Sequence, residues 1–264
     1  MNPVDSSGCH PELTRDDRSE KLLSLIDLTC LDENATETVI EQLCTKAISP
    51  LDPSFKTSVA AVCIYPQFIS LARQCLTNTS IAIATVVNFP HGSDPIETVL
   101  ADIENAIAYG ANEIDVVIPF SLYLTNQRKA VQNFLAACRR ACPFPIKLKT
   151  ILETGALGTA ELIAIASSDA IAAKVDFIKT STGKVPIGAT PTAAAIMLAS
   201  IQAEKEKGRE VITGFKASGG VRHVNQAMHY LQLANIILGE QWISPNTFRF
   251  GASGLLDEIV ELKT

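Results

Sequence analysis

The chain has 264 residues, 47% hydrophobic and 19% charged, a composition that excludes intrinsic disorder and supplies a large core. Its 22 basic and 28 acidic residues give a formal charge of −6 without a basic stripe, which argues against a nucleic-acid binder. No apolar run approaches the ~18 residues of a membrane span, so no membrane partner is expected either.

Residues 1–10 carry neither a basic start nor an apolar block and are expected to form a flexible tail rather than a secretory leader. Residues 11–264 are expected to form one domain that opens with an extra helix over 11–21. Strands are then predicted over 24–28, 59–64, 81–88, 113–118, 146–152, 177–180, 211–216 and 248–250. Several are nearly continuous in Val, Ile and Ala, as strands covered on both faces tend to be. The intervening segments 95–109, 127–141, 159–173 and 191–207 are rich in Ala, Leu, Ile and Glu and long enough to be helices. Thr190-Pro191 places an N-cap before a first-turn proline, and Gly110 stands just past the end of a helix. Eight strands alternating with helices imply an α/β fold with a parallel sheet, and eight units of about 33 residues suit a (β/α)₈ TIM barrel. The missing G-x-G-x-x-G motif disfavours the open, doubly wound alternative.

Seven cysteines without a C-x-x-C pair are expected to be small buried hydrophobes in a reducing cytoplasm. The histidines His10, His91, His223 and His229 have no metal-ligand spacing, so no protein-built metal site is expected. Charge inside apolar strands is the informative anomaly: Asp115, Lys147, Lys149, Lys179 and Lys216 all interrupt such runs. Barrel active sites gather at the C-terminal ends of strands, and a lysine there suggests a Schiff-base nucleophile. An amine of pKa about 10.4 is neutral in only roughly one molecule in 2,500 at pH 7, so a second nearby cation such as Lys216 is needed to free it. The glycine-rich segments Ser181-Thr182-Gly183-Lys184, Ser218-Gly219-Gly220-Val221 and Phe250-Gly251-Ala252-Ser253-Gly254 follow late strands, where barrels bind phosphate. The combination describes a phosphorylated carbonyl substrate.

These blocks stand in one order with Asp27-Leu28-Thr29, Cys63-Ile64-Tyr65-Pro66, Val87-Asn88-Phe89-Pro90-His91-Gly92, Ile114-Asp115-Val116-Val117 and Leu152-Glu153-Thr154-Gly155. Phe177-Ile178-Lys179-Thr180-Ser181-Thr182-Gly183-Lys184, Gly214-Phe215-Lys216-Ala217-Ser218-Gly219-Gly220-Val221-Arg222 and Arg249-Phe250-Gly251-Ala252-Ser253 complete the set. Over about residues 20–260 the sequence resembles the class I, Schiff-base deoxyribose-phosphate aldolase family. The resemblance implies a Schiff base on Lys179, a perturbing Lys216 and a proton-relaying Asp115. It further implies substrate contacts from Thr29 and Thr182, and a phosphate site of Gly183, Lys184, Gly219, Gly220, Gly251 and Ser253. The implied reaction is reversible cleavage of 2-deoxy-D-ribose 5-phosphate to acetaldehyde and D-glyceraldehyde 3-phosphate in deoxyribonucleotide catabolism, without cofactor or metal. The implied partner is a small phosphosugar, with the enzyme acting alone or as a homodimer. Gly254 departs from the second serine of many members, Lys174-Val175 replaces Gly-Ala as an expected surface change, and the chain lacks a tyrosine at its end. Lys149 is expected near Asp115, Lys147 paired with an acid, and Glu153 either orienting a lysine or capping a loop. Residues 204–210 read as a solvated helix end, and Trp242 with Ile236, Ile237 and Leu238 as core. The rival readings are another Schiff-base aldolase or transaldolase, and a barrel that only binds phosphate.

Overall fold

The structure, a computed structural model, describes residues 15–48, 55–208 and 213–263. The expected tail and residues 11–14 of the expected first helix lie outside them. Helix α1, Arg15–Ser24, leads into strand β1, Ile26–Cys30. Ser24 closes the helix, its Oγ donating to the Lys21 carbonyl at 2.8 Å, so the strand starts two residues later than expected. The order then runs α2 (Glu37–Ile48), β2 (Ala61–Ile64), α3 (Ile69–Cys75), β3 (Ala82–Val87), α4 (Ile96–Tyr109) and β4 (Glu113–Val117). It continues with α5 (Ser121–Leu124), α6 (Arg128–Ala141), β5 (Lys147–Ile151), α7 (Thr154–Leu157), α8 (Ala160–Ala172) and β6 (Phe177–Lys179). The last elements are α9 (Pro191–Glu206), β7 (Gly214–Ser218), α10 (Val224–Leu238), β8 (Phe248–Ala252) and α11 (Leu255–Lys263). Residues 211 and 212 of the expected seventh strand lie outside the described residues; its described part begins at Gly214 and runs two residues past Lys216.

Each strand pairs in parallel with the next, and β8 returns to β1 with Asp27 opposite Gly251. The fold is a closed (β/α)₈ barrel. Local chemistry sets the helix ends: Thr159 Oγ1 accepts from Leu162 N and Thr190 Oγ1 accepts from Ala193 N. Gly110 ends α4 at φ 110°, which favours glycine.

Strand alternation divides the core in two. Outward residues such as Leu28, Val62, Ile114, Leu148, Ile178 and Phe215 pack under the helices. Within the barrel, β2 and β3 contribute the small apolar group Ala61, Cys63, Ala84 and Val86, and the remaining strands contribute the charges described below. Gly214 makes the floor possible, since a Cβ there would lie 2.5 Å from the Phe177 ring. Trp242 stacks edge-on against Phe248 at 6.5 Å and Leu238 is buried, as expected, but Ile236 is 71% exposed. Two further expectations are corrected. Glu204 is buried and paired with Lys207 at 2.7 Å, because it lies on the face of α9 that meets the barrel. Val175 is fully buried, so only Lys174, exposed and at φ 62°, is a surface change. Cys44, Cys63, Cys138 and Cys142 are buried and unbridged, and burial pushes the Cys138 and Cys142 thiols up to about 12.

Candidate active site

The alternation that turns hydrophobic residues outward on β4 to β8 turns charged ones inward. Asp115 on β4 faces Lys149 on β5, and Lys179 on β6 faces Lys216 on β7. Lys179 Nζ and Lys216 Nζ each donate to the same oxygen, Asp115 Oδ2, at 2.8 Å. Lys149 Nζ takes the other oxygen at 2.8 Å and reaches Glu113 Oε2 at 2.5 Å and Asp27 Oδ2 at 3.4 Å. Lys216 also pairs with Asp27 Oδ2 at 2.5 Å. Arg249 on β8 closes the floor, binding Asp27 through Nη1 and Glu113 Oε1 at 3.2 Å through Nη2. Lys147, with its side chain 29% exposed at the lower rim, stands 3.6 Å from Glu113.

Lys149 therefore meets Asp27, Glu113 and Asp115, Lys216 meets Asp27 and Asp115, and Lys179 meets Asp115 alone. The protonation preferences follow that order. Burial alone would lower Lys149 and Lys216, but their carboxylates hold Lys149 well above its ordinary range and Lys216 above it. For Lys179 burial wins: Asp115 opposes it, the Lys216 cation adds to it, and the amine is pushed below its ordinary value. Burial would raise the Asp115 and Asp27 carboxyls, yet the surrounding cations hold both far below the usual carboxylate range. Of the three interior lysines, Lys179 alone keeps any side-chain exposure, 2% against none for Lys149 and Lys216.

Above this cluster lies a cavity of about 480 Å³. Its wall contains Thr29, Thr182, Gly183, Lys184, Gly219, Gly220, Gly251 and Ser253, all eight residues expected to touch substrate. Gly251 is the joint between cavity and cluster, since a Cβ there would lie 2.7 Å from Ser218 Oγ and 3.0 Å from Lys216 Cε. Gly219 and Gly220 adopt φ 90° and 85°, turning their backbone in a way that L side chains rarely allow. Lys184 Nζ donates to the Leu31 carbonyl at 2.7 Å and ties the loop after β6 to the loop after β1. Thr182 Oγ1 donates to Glu153 Oε2 at 2.5 Å and accepts from Lys184 N at 3.1 Å. Glu153 thus fastens a loop, and burial raises its carboxyl above the usual value.

Comparison with known proteins gives the family. The model of the DeoC/LacD family aldolases matches residues 21–256. The chain belongs to that family. Within it, this aldolase is 46% identical over 241 residues to a deoxyribose-phosphate aldolase of Agrobacterium fabrum strain C58, covering 91% of this chain and 89% of that protein. A Coccidioides immitis crystal structure, provisionally named deoxyribose-phosphate aldolase, superposes with a TM-score of 0.79 at 27% identity, covering 93% of this chain and 87% of that one. A Toxoplasma gondii ME49 structure of the same provisional name shares the fold, with a TM-score of 0.84 at 22% identity and 94% of each chain covered.

Several residues of this aldolase's site carried no assigned role in the sequence. Glu113 opens an apolar strand, Asp27 and Arg249 sit inside quoted motifs, and all three enter the buried cluster. Arg222, at the end of another motif, lines the cavity. A signal did exist: each of the first three alternates with outward apolar neighbours, so each had to face inward. Gly254 does not line the cavity, and a Cβ there would meet nothing within 4 Å.

Proposed function

We propose that this aldolase reversibly cleaves 2-deoxy-D-ribose 5-phosphate to acetaldehyde and D-glyceraldehyde 3-phosphate through a Schiff base on Lys179, within deoxyribonucleotide breakdown. The observation that carries the proposal is the pair Lys179 and Lys216, 2.8 Å each from one oxygen of Asp115, beneath a glycine-walled cavity.

The neutral Lys179 amine attacks the C1 aldehyde of the open-chain sugar, and the carbinolamine loses water to form an iminium. A base takes the proton of the C3 hydroxyl, and the C2–C3 bond breaks. Its electron pair flows into the iminium, giving an enamine and D-glyceraldehyde 3-phosphate. Protonation of the enamine at C2 and addition of one water then release acetaldehyde and the amine. Asp115, Lys216 and a water molecule move these protons, and positioned acid–base groups of this kind contribute about 10²–10⁴-fold. Gln226 and Glu258 accept the N–H groups of Arg222, His223 and Val224 at the start of α10. A phosphate is therefore offered the backbone of Gly219 and Gly220, with Lys184, Arg222 and Ser253 around it. Thr29 and Thr182 are left to face the sugar hydroxyls. The unbridged thiols suit a cytoplasmic setting, and no described helix is long and apolar enough to cross a membrane.

The test is borohydride reduction in the presence of 2-deoxyribose 5-phosphate, followed by peptide mapping. The expected result is a secondary amine on Lys179 in the wild type and none in Lys179→Leu. An adduct on Lys216 that survives Lys179→Leu would reverse the assignment. Products from keto-sugar phosphates, with none from deoxyribose 5-phosphate, would favour a different Schiff-base aldolase.

A further inference from the structure

The buried cluster reaches well below the lysine pair, and its lower half has no place in the chemistry above. Arg249 is fixed from four sides: it binds Asp27, Glu113 and the Pro245 carbonyl, and it lies over the Phe177 ring at 5.6 Å. Glu113 is 2% exposed and holds Lys149 from below, opposite the Asp115 that holds it from above. Neither residue lines the cavity. Both are nonetheless part of one electrostatic unit with Lys179, because Arg249 shares Asp27 with Lys149 and Lys216, and Glu113 shares Lys149 with Asp115.

The charge count of that unit is informative. Its carboxylates are Asp27, Glu113 and Asp115, and its cations other than Lys179 are Lys149, Lys216 and Arg249. Counted over these buried groups alone, leaving out the partly exposed Lys147 at the rim, the charges balance, three against three, while Lys179 is a neutral amine. Other titratable groups stand at the edges of the unit. Cys63 from β2 is a buried thiol, Glu153 beyond β5 is held by Thr182 with its carboxyl raised by burial, and Lys147, its side chain 29% exposed, lies 3.6 Å from Glu113 at the rim. β3 brings only apolar side chains, Ala84 and Val86.

We infer that Arg249 and Glu113 are positioning residues that set the charge state of Lys179 from the barrel floor, Arg249 by completing the cation count and Glu113 by limiting it. This rests on Lys179 as the Schiff-base amine. Removing Arg249 leaves three carboxylates against Lys149 and Lys216, so Lys179 retains its proton. Removing the Glu113 charge leaves two carboxylates against three cations, so Lys179 releases its proton more readily. The two substitutions act in opposite directions, which loss of packing alone does not produce.

The experiment is the pH profile of borohydride trapping with 2-deoxyribose 5-phosphate in the full-length protein. Arg249→Met should move the profile alkaline and Glu113→Gln should move it acid. Each shift is expected to be of the order of one pH unit, the size of a unit-charge interaction across the cluster at an effective dielectric near 20. Arg249→Lys, which keeps the charge, should stay closer to wild type than Arg249→Met, and the double variant Glu113→Gln/Arg249→Met should return towards it. If Arg249→Met does not fold, Glu113→Gln and Arg249→Lys decide alone. Unmoved profiles, or shifts of the same sign, with the adduct still on Lys179 overturn this inference only. A wild type that forms no adduct on Lys179 overturns the reading beneath it.

Discussion

Under the proposed mechanism, replacing Lys216 with leucine separates the nucleophile, Lys179, from the group that activates it. Both ammonium nitrogens lie 2.8 Å from Asp115 Oδ2, so they stand no farther apart than twice that distance. An ordinary angle at the oxygen puts them about 4.5 Å apart. At an effective dielectric near 20, two unit charges so placed repel by about 3.7 kcal/mol, equivalent to about 2.7 pKa units. Leucine removes that repulsion and leaves Asp115 and Asp27 with one cation fewer, so both changes raise the Lys179 pKa. The neutral amine is the reactive form, and a raised pKa means that it is lost at a higher pH as the solution is acidified. Water entering beside the smaller side chain reduces the effect, so the trapping profile should move alkaline by about one to three units. The assay is borohydride trapping across pH 5 to 10 in Lys216→Leu and wild type, with adduct on Lys179 read by mass. A profile that overlays wild type, or moves acid, with Lys179 still carrying the adduct would refute the reasoning. Turnover falls in either case and does not discriminate.

Asp115→Leu strips the shared partner from Lys149, Lys179 and Lys216 and should cost about 3–5 kcal/mol in denaturant unfolding at pH 7. Because the folded-state Asp115 pKa is lowered, its contribution is present above the unfolded carboxyl value of ~3.9 and fades as pH falls below it. The gap from wild type should therefore hold down to about pH 4 and close only under stronger acid. Ser253→Asp brings a carboxylate to the cavity wall and should raise KM for deoxyribose 5-phosphate far more than for unphosphorylated deoxyribose; equal losses would remove Ser253 from the phosphate site. Gly254→Ser has open space for its side chain and should leave Tm unchanged. If the added hydroxyl reaches the phosphate, KM falls for the phosphorylated substrate alone, and an unchanged KM would place residue 254 outside the site.

The barrel was legible in the sequence because its signal is local and repeated. Apolar strand runs, the Thr190-Pro191 start and Gly110 each report a structure decided within a few residues. The helices expected over 95–109, 127–141, 159–173 and 191–207 lie within a residue of α4, α6, α8 and α9 at each end. The short helices α5 and α7 were not expected, since Ser121–Leu124 and Thr154–Leu157 are too short to show a period. Ile236 was misjudged because an apolar triplet on a helix cannot place all three members on one face. That the loop residues share one cavity was legible through glycine, whose backbone freedom marks the places where the chain turns in ways L side chains rarely allow. The floor of the site was not. Asp27, Glu113 and Arg249 lie on strands β1, β4 and β8, and only barrel closure brings them together.

That closure also ranks the interior lysines on which the proposed mechanism depends. A buried ion cluster contributes little net stability, because desolvation offsets most of the attraction and apolar side chains would fill the same volume at least as well. The interior of β2 and β3 shows that alternative within the same barrel. The charges opposite make a different contribution: they rank three lysines that differ little in isolation. Lys149 lies among three carboxylates, Lys216 between two, and Lys179 against one, so Lys179 is the lysine of the three whose ammonium is least stabilised. Lys179 ends β6, and its side chain is the interior lysine nearest solvent. The least stabilised ammonium is therefore also the interior amine with the most solvent exposure, as the proposed Schiff base requires. A nucleophile at the floor of the barrel would be neutral without being reachable, and one on an outer loop would be reachable without being neutral. The strand end is where burial and carboxylate shortage coincide with access, and the alternation of β6 puts a lysine there.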